Sequence, residues 1–190
     1  MLARRLRRQG FVVHIFSYPT VRADLRTNAG RLAGFLGTLD AETVHLVGHS
    51  LGGILIRALF HYHPDQKPGR IVTLVTPHGG SCVAQHLSRY AWWRWWMGKS
   101  IAQLLTGAPQ RWPTPAREIG TISGSRSVSL GRLVYRQLPQ PNDGLLTLTE
   151  SRFAAARDHL VLSVSHTGIL FSSVVADQVG HFLIHGRFFH

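Results

Sequence analysis

Val44-His-Leu-Val-Gly-His-Ser-Leu-Gly-Gly-Ile-Leu-Ile-Arg-Ala-Leu-Phe-His-Tyr62 reads as a short apolar strand, a glycine-flanked serine and an apolar helix in immediate succession. Within it, Gly48-His-Ser-Leu-Gly52 is a G-x-S-x-G pentapeptide, informative because a strand leads into it and a helix leaves it. A turn that sharp holds its serine in a strained backbone conformation, so the residues two before and two after must be small for strand and helix to approach. Gly48 and Gly52 meet that need, and Gly53 adds room. The Ser50 oxygen is then displayed at the C-terminal edge of the strand. The Leu51 backbone N–H sits at the helix N-terminus, where it can stabilise an oxyanion. A glycine-rich turn with a capping serine has the same local pattern, so the pentapeptide alone does not decide between a nucleophile and a cap.

Outward from this stretch, strand-like and helix-like segments alternate, which points to βαβ units, a mainly parallel sheet and an α/β fold. Phe11–Phe16 is a β-branched and aromatic run closed by Tyr18-Pro19, and a strand is expected there. Leu25, Ala29, Leu32, Ala33 and Leu36 keep helical spacing between Asp24 and Thr38. Further strands are expected at Ile71–Thr76, Ile119–Ser123 and His159–Ser165, with a closing helix over Ile169–Ile184. Residues 81 to about 117 show no clear period and are rich in tryptophan and proline, the kind of long insert in which caps and lids are found. There is no internal repeat or low-complexity linker, and 190 residues with 44% hydrophobic content suit one domain spanning 1–190.

A serine attacks at neutral pH only if a base takes its proton and a carboxylate holds that base in the right tautomer. The acids between Ser50 and the last strand are Asp65, Glu118, Asp143, Glu150 and Asp158. Asp65 lies just past the helix that follows Ser50, Glu118 opens a strand at the wrong edge, and Asp158 precedes the last strand. Asp143 sits in a loop with turn residues on both sides, Pro141-Asn142 and Gly144; Glu150 is the runner-up. For the base, His159 would stand at the N-terminal end of the last strand and His166 at its C-terminal end, on the same sheet edge as Ser50. Strand polarity therefore selects His166. His78 also follows a strand at that edge, as a pocket-lining or structural loop residue. His181 and His185 lie four apart on the final helix without a third ligand, and no HExxH-type cluster marks a metal site. Neither a metal nor a cofactor is expected.

Twenty-one Lys and Arg against nine Asp and Glu give a net charge of +12, which favours anionic partners without choosing among them. No zinc-finger, RNA-recognition or P-loop signature is present, so no nucleic acid partner is expected. The single cysteine, Cys82, cannot form an internal disulfide and fits a reducing compartment. No apolar run reaches the length of a membrane span, and the basic start at Met1–Arg8 is followed by too short an apolar stretch for a secretory signal. A cytoplasmic protein is expected, with peripheral contact to an anionic membrane as an option: Trp92, Trp93, Trp95 and Trp96 flank Arg94 in a segment that reads either as an interfacial lid or as packing of a small cap.

Five segments give the chain a resemblance to bacterial α/β-hydrolases of the triacylglycerol-lipase type: Phe16-Ser-Tyr-Pro19, Gly48-His-Ser-Leu-Gly-Gly53, Thr76-Pro-His-Gly-Gly-Ser81, Asn142-Asp-Gly144 and Ser165-His-Thr-Gly-Ile-Leu170. They fall in the family's order across nearly the whole chain. The resemblance implies an α/β-hydrolase fold, with a parallel sheet flanked by helices and a small cap-like insert. It also implies a triad of Ser50, Asp143 and His166 and hydrolysis of carboxylic esters with apolar acyl groups, so that the partner is an ester or lipid substrate. The family's usual first strand and His-Gly loop, which carry a second oxyanion donor, precede the point at which this sequence opens. An N-terminally incomplete fold is thus expected, with that donor missing. A non-catalytic remnant acting as a basic membrane-associated module is the alternative from another class. Acyltransferase or thioesterase chemistry on the same residues is a third, and the sequence leaves oligomeric state open.

Overall fold

The computed structural model describes residues 1–127 and 138–190, with only the backbone described for 91–97. Four parallel strands form the sheet in the order β1 (Leu46–His49), β2 (Ile71–Leu74), β3 (Ile119–Gly124) and β4 (Asp158–Leu162). The register pairs Leu46 with Ile71, Ile71 with Ile119 and Gly120 with Asp158. β2 and β3 are buried along their whole length. Being covered on both faces, neither shows a polar outer face: β2 is mostly apolar, and in β3 the small or polar Gly120, Thr121 and Ser123 are buried beside Ile119 and Ile122.

Helices cover both faces because side chains alternate across each strand. Leu46, Ile71 and Ile119 point to one side, where α2 (Leu25–Gly37) and α3 (Leu51–Tyr62) bury Leu25, Leu32, Ile54, Leu55 and Leu59. Val72, Leu74 and Ile122 point to the other, against α1 (Leu2–Arg8) and the C-terminal α8 (Ser173–His185), which contribute Leu2, Leu6, Val175, Val179 and Phe182. Gly120 faces α8 as well: a Cβ there would lie 2.7 Å from the rings of Phe182 and Phe188, so the glycine lets the helix sit directly on the sheet. α2 starts where Asp24 accepts from the Thr27 amide at 2.7 Å, as an N-cap should.

Between β2 and β3 the insert is helical: α4 (Cys82–Leu87), α5 (Ala91–Leu105) and α6 (Ala108–Arg111). α5 is broken at Gly98, where φ is 74° and a Cβ would meet the Val21 backbone at 2.4 Å. Beyond that break the insert is stitched to the loop before α2. Asn28 donates to the Pro19 carbonyl and to Ser100 Oγ, Ser100 Oγ donates to the Ala23 carbonyl, and Gln103 accepts from the Leu25 amide. The side chains of Trp92, Trp93, Trp95 and Trp96 lie outside the described residues, and the lid expectation with them. A short α7 (Leu148–Ser151) follows the Asp143 loop.

Two expectations are corrected. Phe11–Phe16 is not a strand of the sheet. A strand exists by its ladder, and this run has the side-chain pattern without one: Phe11 and Val13 face the core while Val12 is exposed, the Phe11 amide donates to the Leu6 carbonyl, and the Val13 carbonyl accepts from Arg7. The closing helix is also not continuous. A 3₁₀ turn at Gly168–Leu170 precedes Ser172, whose side chain caps α8 by accepting from the Val175 amide. Among the described residues no helix is long and apolar enough to cross a membrane.

Candidate active site

Ser50 is the residue on which the chain turns from β1 into α3, with φ 51° and ψ −124°. Positive φ costs a non-glycine residue on the order of 1–3 kcal/mol and persists only where the surroundings enforce it. Here the Ser50 amide donates to the Leu74 carbonyl of β2 at 2.9 Å, and its own carbonyl accepts from the Gly53 amide at 3.1 Å. A Cβ on Gly48 would lie 2.6 Å from the Gly53 backbone nitrogen, and one on Gly53 would collide with the buried Thr76 side chain. Glycine is therefore a steric demand of this turn at 48 and 53; at Gly52, expected to be small for the same reason, a Cβ would meet only the Tyr18 hydroxyl at 4.0 Å. The Leu51 amide lies in the first turn of α3, where backbone N–H groups have no acceptor within the helix.

His166 follows β4 and Asp143 lies in the loop before α7, and the fold brings both to Ser50. His166 Nε2 is 3.1 Å from Ser50 Oγ, and His166 Nδ1 is 2.7 Å from Asp143 Oδ2. Both side chains are buried. Asp143 Oδ1 accepts from the amides of Leu145 and Leu146 at 2.8 and 2.7 Å, so the buried carboxylate is compensated on both oxygens. The two loops are also joined through the main chain, the His166 amide donating to the Asp143 carbonyl at 3.0 Å. Gly124, at the end of β3, permits this approach: a Cβ there would lie 2.5 Å from the Val164 carbonyl oxygen and 2.9 Å from Asp143 Cβ.

The remaining candidates lie elsewhere. Glu150 Oε1 accepts from the Cys82 amide at 2.5 Å, and its Oε2 from the Thr147 amide at 2.8 Å, tying the start of α4 to the Asp143 loop. Glu118 pairs with Arg70 and Arg157 at the opposite edge of the sheet. Asp158 accepts from the Phe188 amide and contacts His190. His159 bonds Thr121. The rings of His181 and His185 lie 4.3 Å apart, tilted by 40°, and among the described residues no group of His, Cys, Asp or Glu is arranged to hold a metal. Burial pushes the Cys82 thiol up to about 11, the direction of an unreactive cysteine.

His78 is structural. Its Nε2 is 3.0 Å from Thr73 Oγ1, its ring stacks on Phe153, and the Arg57 guanidinium covers that same phenyl ring. Arg57 itself donates to the Pro109 and Trp112 carbonyls of the insert. Burial, aided by the Arg57 charge, holds the His78 imidazole down at about 3. A folded-state value below the unfolded 6.5 means that between about pH 6.5 and 3 the unfolded chain binds the extra proton. The proton-linked cost of His78 is thus absent above pH 6.5, and stability is lost as pH falls below it, by up to about 1.4 kcal/mol per unit. We expect denaturant unfolding from pH 7 to 4.5 to show this slope, and His78→Gln to flatten it by roughly one proton; an unchanged slope in the variant sinks the assignment.

Two further residues were not singled out from the sequence. Val75, buried at the end of β2, has φ 42°, an outlier for a β-branched residue, and no sequence signal marks it. His49, the second residue of the pentapeptide, contacts the backbone of His166, and its place beside the serine was the available hint.

The sequence profile of the alpha/beta hydrolase family matches residues 2–187. No curated protein sequence gives a significant match. Among solved structures, the mature lipase BlEst2 of Bacillus licheniformis superposes with a TM-score of 0.65 at 21% identity, covering 82% of this chain and 72% of the lipase. A metagenomic carboxyl esterase gives 0.58 at 14%, covering 78% and 52%. Phospholipase PlaB of Legionella pneumophila gives 0.65 at 12%, covering 95% and 53%. The chain spans about half the length of the latter two, and at these identities the likeness is one of fold.

Proposed function

The chain belongs to the alpha/beta hydrolase family, and from that premise we propose that it is a serine hydrolase cleaving carboxylic esters with apolar acyl groups, with Ser50 as nucleophile, His166 as general base and Asp143 as the acid that orients it. The observation that carries the reading is the continuous chain from Ser50 Oγ to His166 Nε2 at 3.1 Å and from His166 Nδ1 to Asp143 Oδ2 at 2.7 Å, beginning at a strained serine. The names of the fold relatives, a lipase, a carboxyl esterase and a phospholipase, support the choice of carboxylic esters as substrate class. The chain is read as one domain, with the helices between Cys82 and Arg111 forming a cap.

In this reaction Ser50 Oγ attacks the ester carbonyl carbon while His166 Nε2 takes the hydroxyl proton. Asp143 stabilises the imidazolium through Nδ1–H without itself being protonated. The Leu51 amide donates to the oxyanion. The C–O bond to the alcohol breaks as His166 returns the proton to the leaving oxygen. Water then repeats the sequence on the acyl-enzyme, releasing the acid and restoring Ser50. No cofactor enters any step.

The test is hydrolysis of p-nitrophenyl butyrate and octanoate, together with covalent labelling by a fluorophosphonate and mapping of the adduct. Turnover and an adduct on Ser50 are the expected results; a folded protein that is inert to both esters and unlabelled overturns the proposal. Products analysed with and without added alcohol or thiol separate hydrolysis from acyl transfer.

A further inference from the structure

We propose that His49 is a positioning residue that holds His166 in its reactive place by gripping its backbone, an inference that rests on His166 being the general base. His49 Nε2 is 2.9 Å from the His166 carbonyl oxygen, and since a carbonyl only accepts, Nε2 carries the proton and donates. His166 is then held at three points: its amide donates to the Asp143 carbonyl, its carbonyl accepts from His49, and its Nδ1 meets the Asp143 carboxylate. The first and third anchors both come from the Asp143 loop. Among the described residues, and apart from the Ser50–His166 hydrogen bond itself, only the His49 contact ties the base to the strand that carries the nucleophile.

That strand is a firm support. His49 is the last residue of β1, in register with Leu74, and the next residue is Ser50. A single rigid element thus fixes the nucleophile through its backbone and the base through the neighbouring side chain, which makes the Ser50–His166 separation insensitive to movement of the loop between β4 and the 3₁₀ turn. The rings of His49 and His166 are 5.1 Å apart. Burial foremost holds the His49 imidazole below its usual range, so it donates as a neutral ring and places no second cation beside the imidazolium that forms on His166.

Two variants test this. His49→Phe keeps a ring of similar size and removes the donor; His49→Gln places an amide N–H close to the position of Nε2. With p-nitrophenyl butyrate, His49→Phe is expected to lose about ten- to a hundredfold in kcat with KM within about twofold, since an ångström of misplacement costs that much. His49→Gln is expected to recover to within about threefold. The second readout is the low-field proton signal of the His166 Nδ1–H, observed in each variant and in the same variants carrying Ser50→Ala. It is expected to be sharp in the parent and in His49→Gln, and broadened by exchange in His49→Phe. A His49→Phe protein with parental kcat and an unbroadened signal overturns the proposal, as does equal impairment of both variants through KM. If the parent shows no Ser50-dependent turnover, the hydrolase reading falls, and the low-field signal then decides the role of His49 alone.

Discussion

Ser50→Ala is expected to lower kcat toward p-nitrophenyl esters by about four to six orders of magnitude, with little change in KM or melting temperature. In serine hydrolases, loss of the nucleophile removes the covalent route altogether, leaving only the oxyanion donors and binding to accelerate attack by water. Little else in the fold depends on Oγ, since the turn is held by the Ser50 amide and carbonyl rather than by its side chain, which caps nothing in α3. Alanine retains the Cβ and hence the same backbone strain, so the folded state should survive. The comparison is of initial rates at saturating ester, with circular dichroism to verify the fold. A variant retaining a tenth of the parental rate would place the nucleophile elsewhere.

The second large effect is at Asp143. Asp143→Asn is expected to reduce kcat by about 10⁴-fold, because the asparagine amide presents a donor where the carboxylate accepted. His166 Nδ1 then becomes the acceptor, the proton moves to Nε2, and Nε2 can no longer take a proton from Ser50 Oγ 3.1 Å away. Glu150→Gln is the control. The Glu150 carboxylate receives the Cys82 and Thr147 amides, so its loss should lower the melting temperature while leaving kcat within about tenfold. The opposite ranking, with Asp143→Asn nearly normal and Glu150→Gln inert, would make Glu150 the orienting acid.

Much of this organisation was legible before any coordinates. The polarity of parallel strands made it so. If β1 delivers Ser50 at its C-terminal end, every partner must come from a loop after a strand, which removes His159 and Glu118 and leaves His166 and His78; the structure brings His166 to Ser50 and packs His78 on Phe153. The glycines at 48, 52 and 53 announced a close strand-to-helix approach, and the structure makes it at two of them, with the Gly53 backbone against position 48 and Thr76 against position 53, while position 52 has room for a Cβ. Burial of β2 was legible in Ile71-Val-Thr-Leu74; that of β3 was not, since Ile119-Gly-Thr-Ile-Ser-Gly124 carries Thr121 and Ser123 inside the fold.

What the sequence determined by itself was local and periodic: the strand, turn and helix around Ser50, the order of the segments, the small set of acids and histidines from which a site could be drawn, and the family. Only the tertiary structure decided what depends on a neighbour distant in the chain. It withheld a ladder from Phe11–Phe16, since apolar alternation supplies a face but not a hydrogen-bonding partner. It made Glu150 a clamp between two loops, put Val75 at a positive φ, and turned both His78 and Arg57 inward against the ring of Phe153. It also set His49 against the carbonyl of a residue 117 positions away. Side-chain type and spacing encode what one element does; hydrogen bonds between loops arise only when the sheet has brought their ends together.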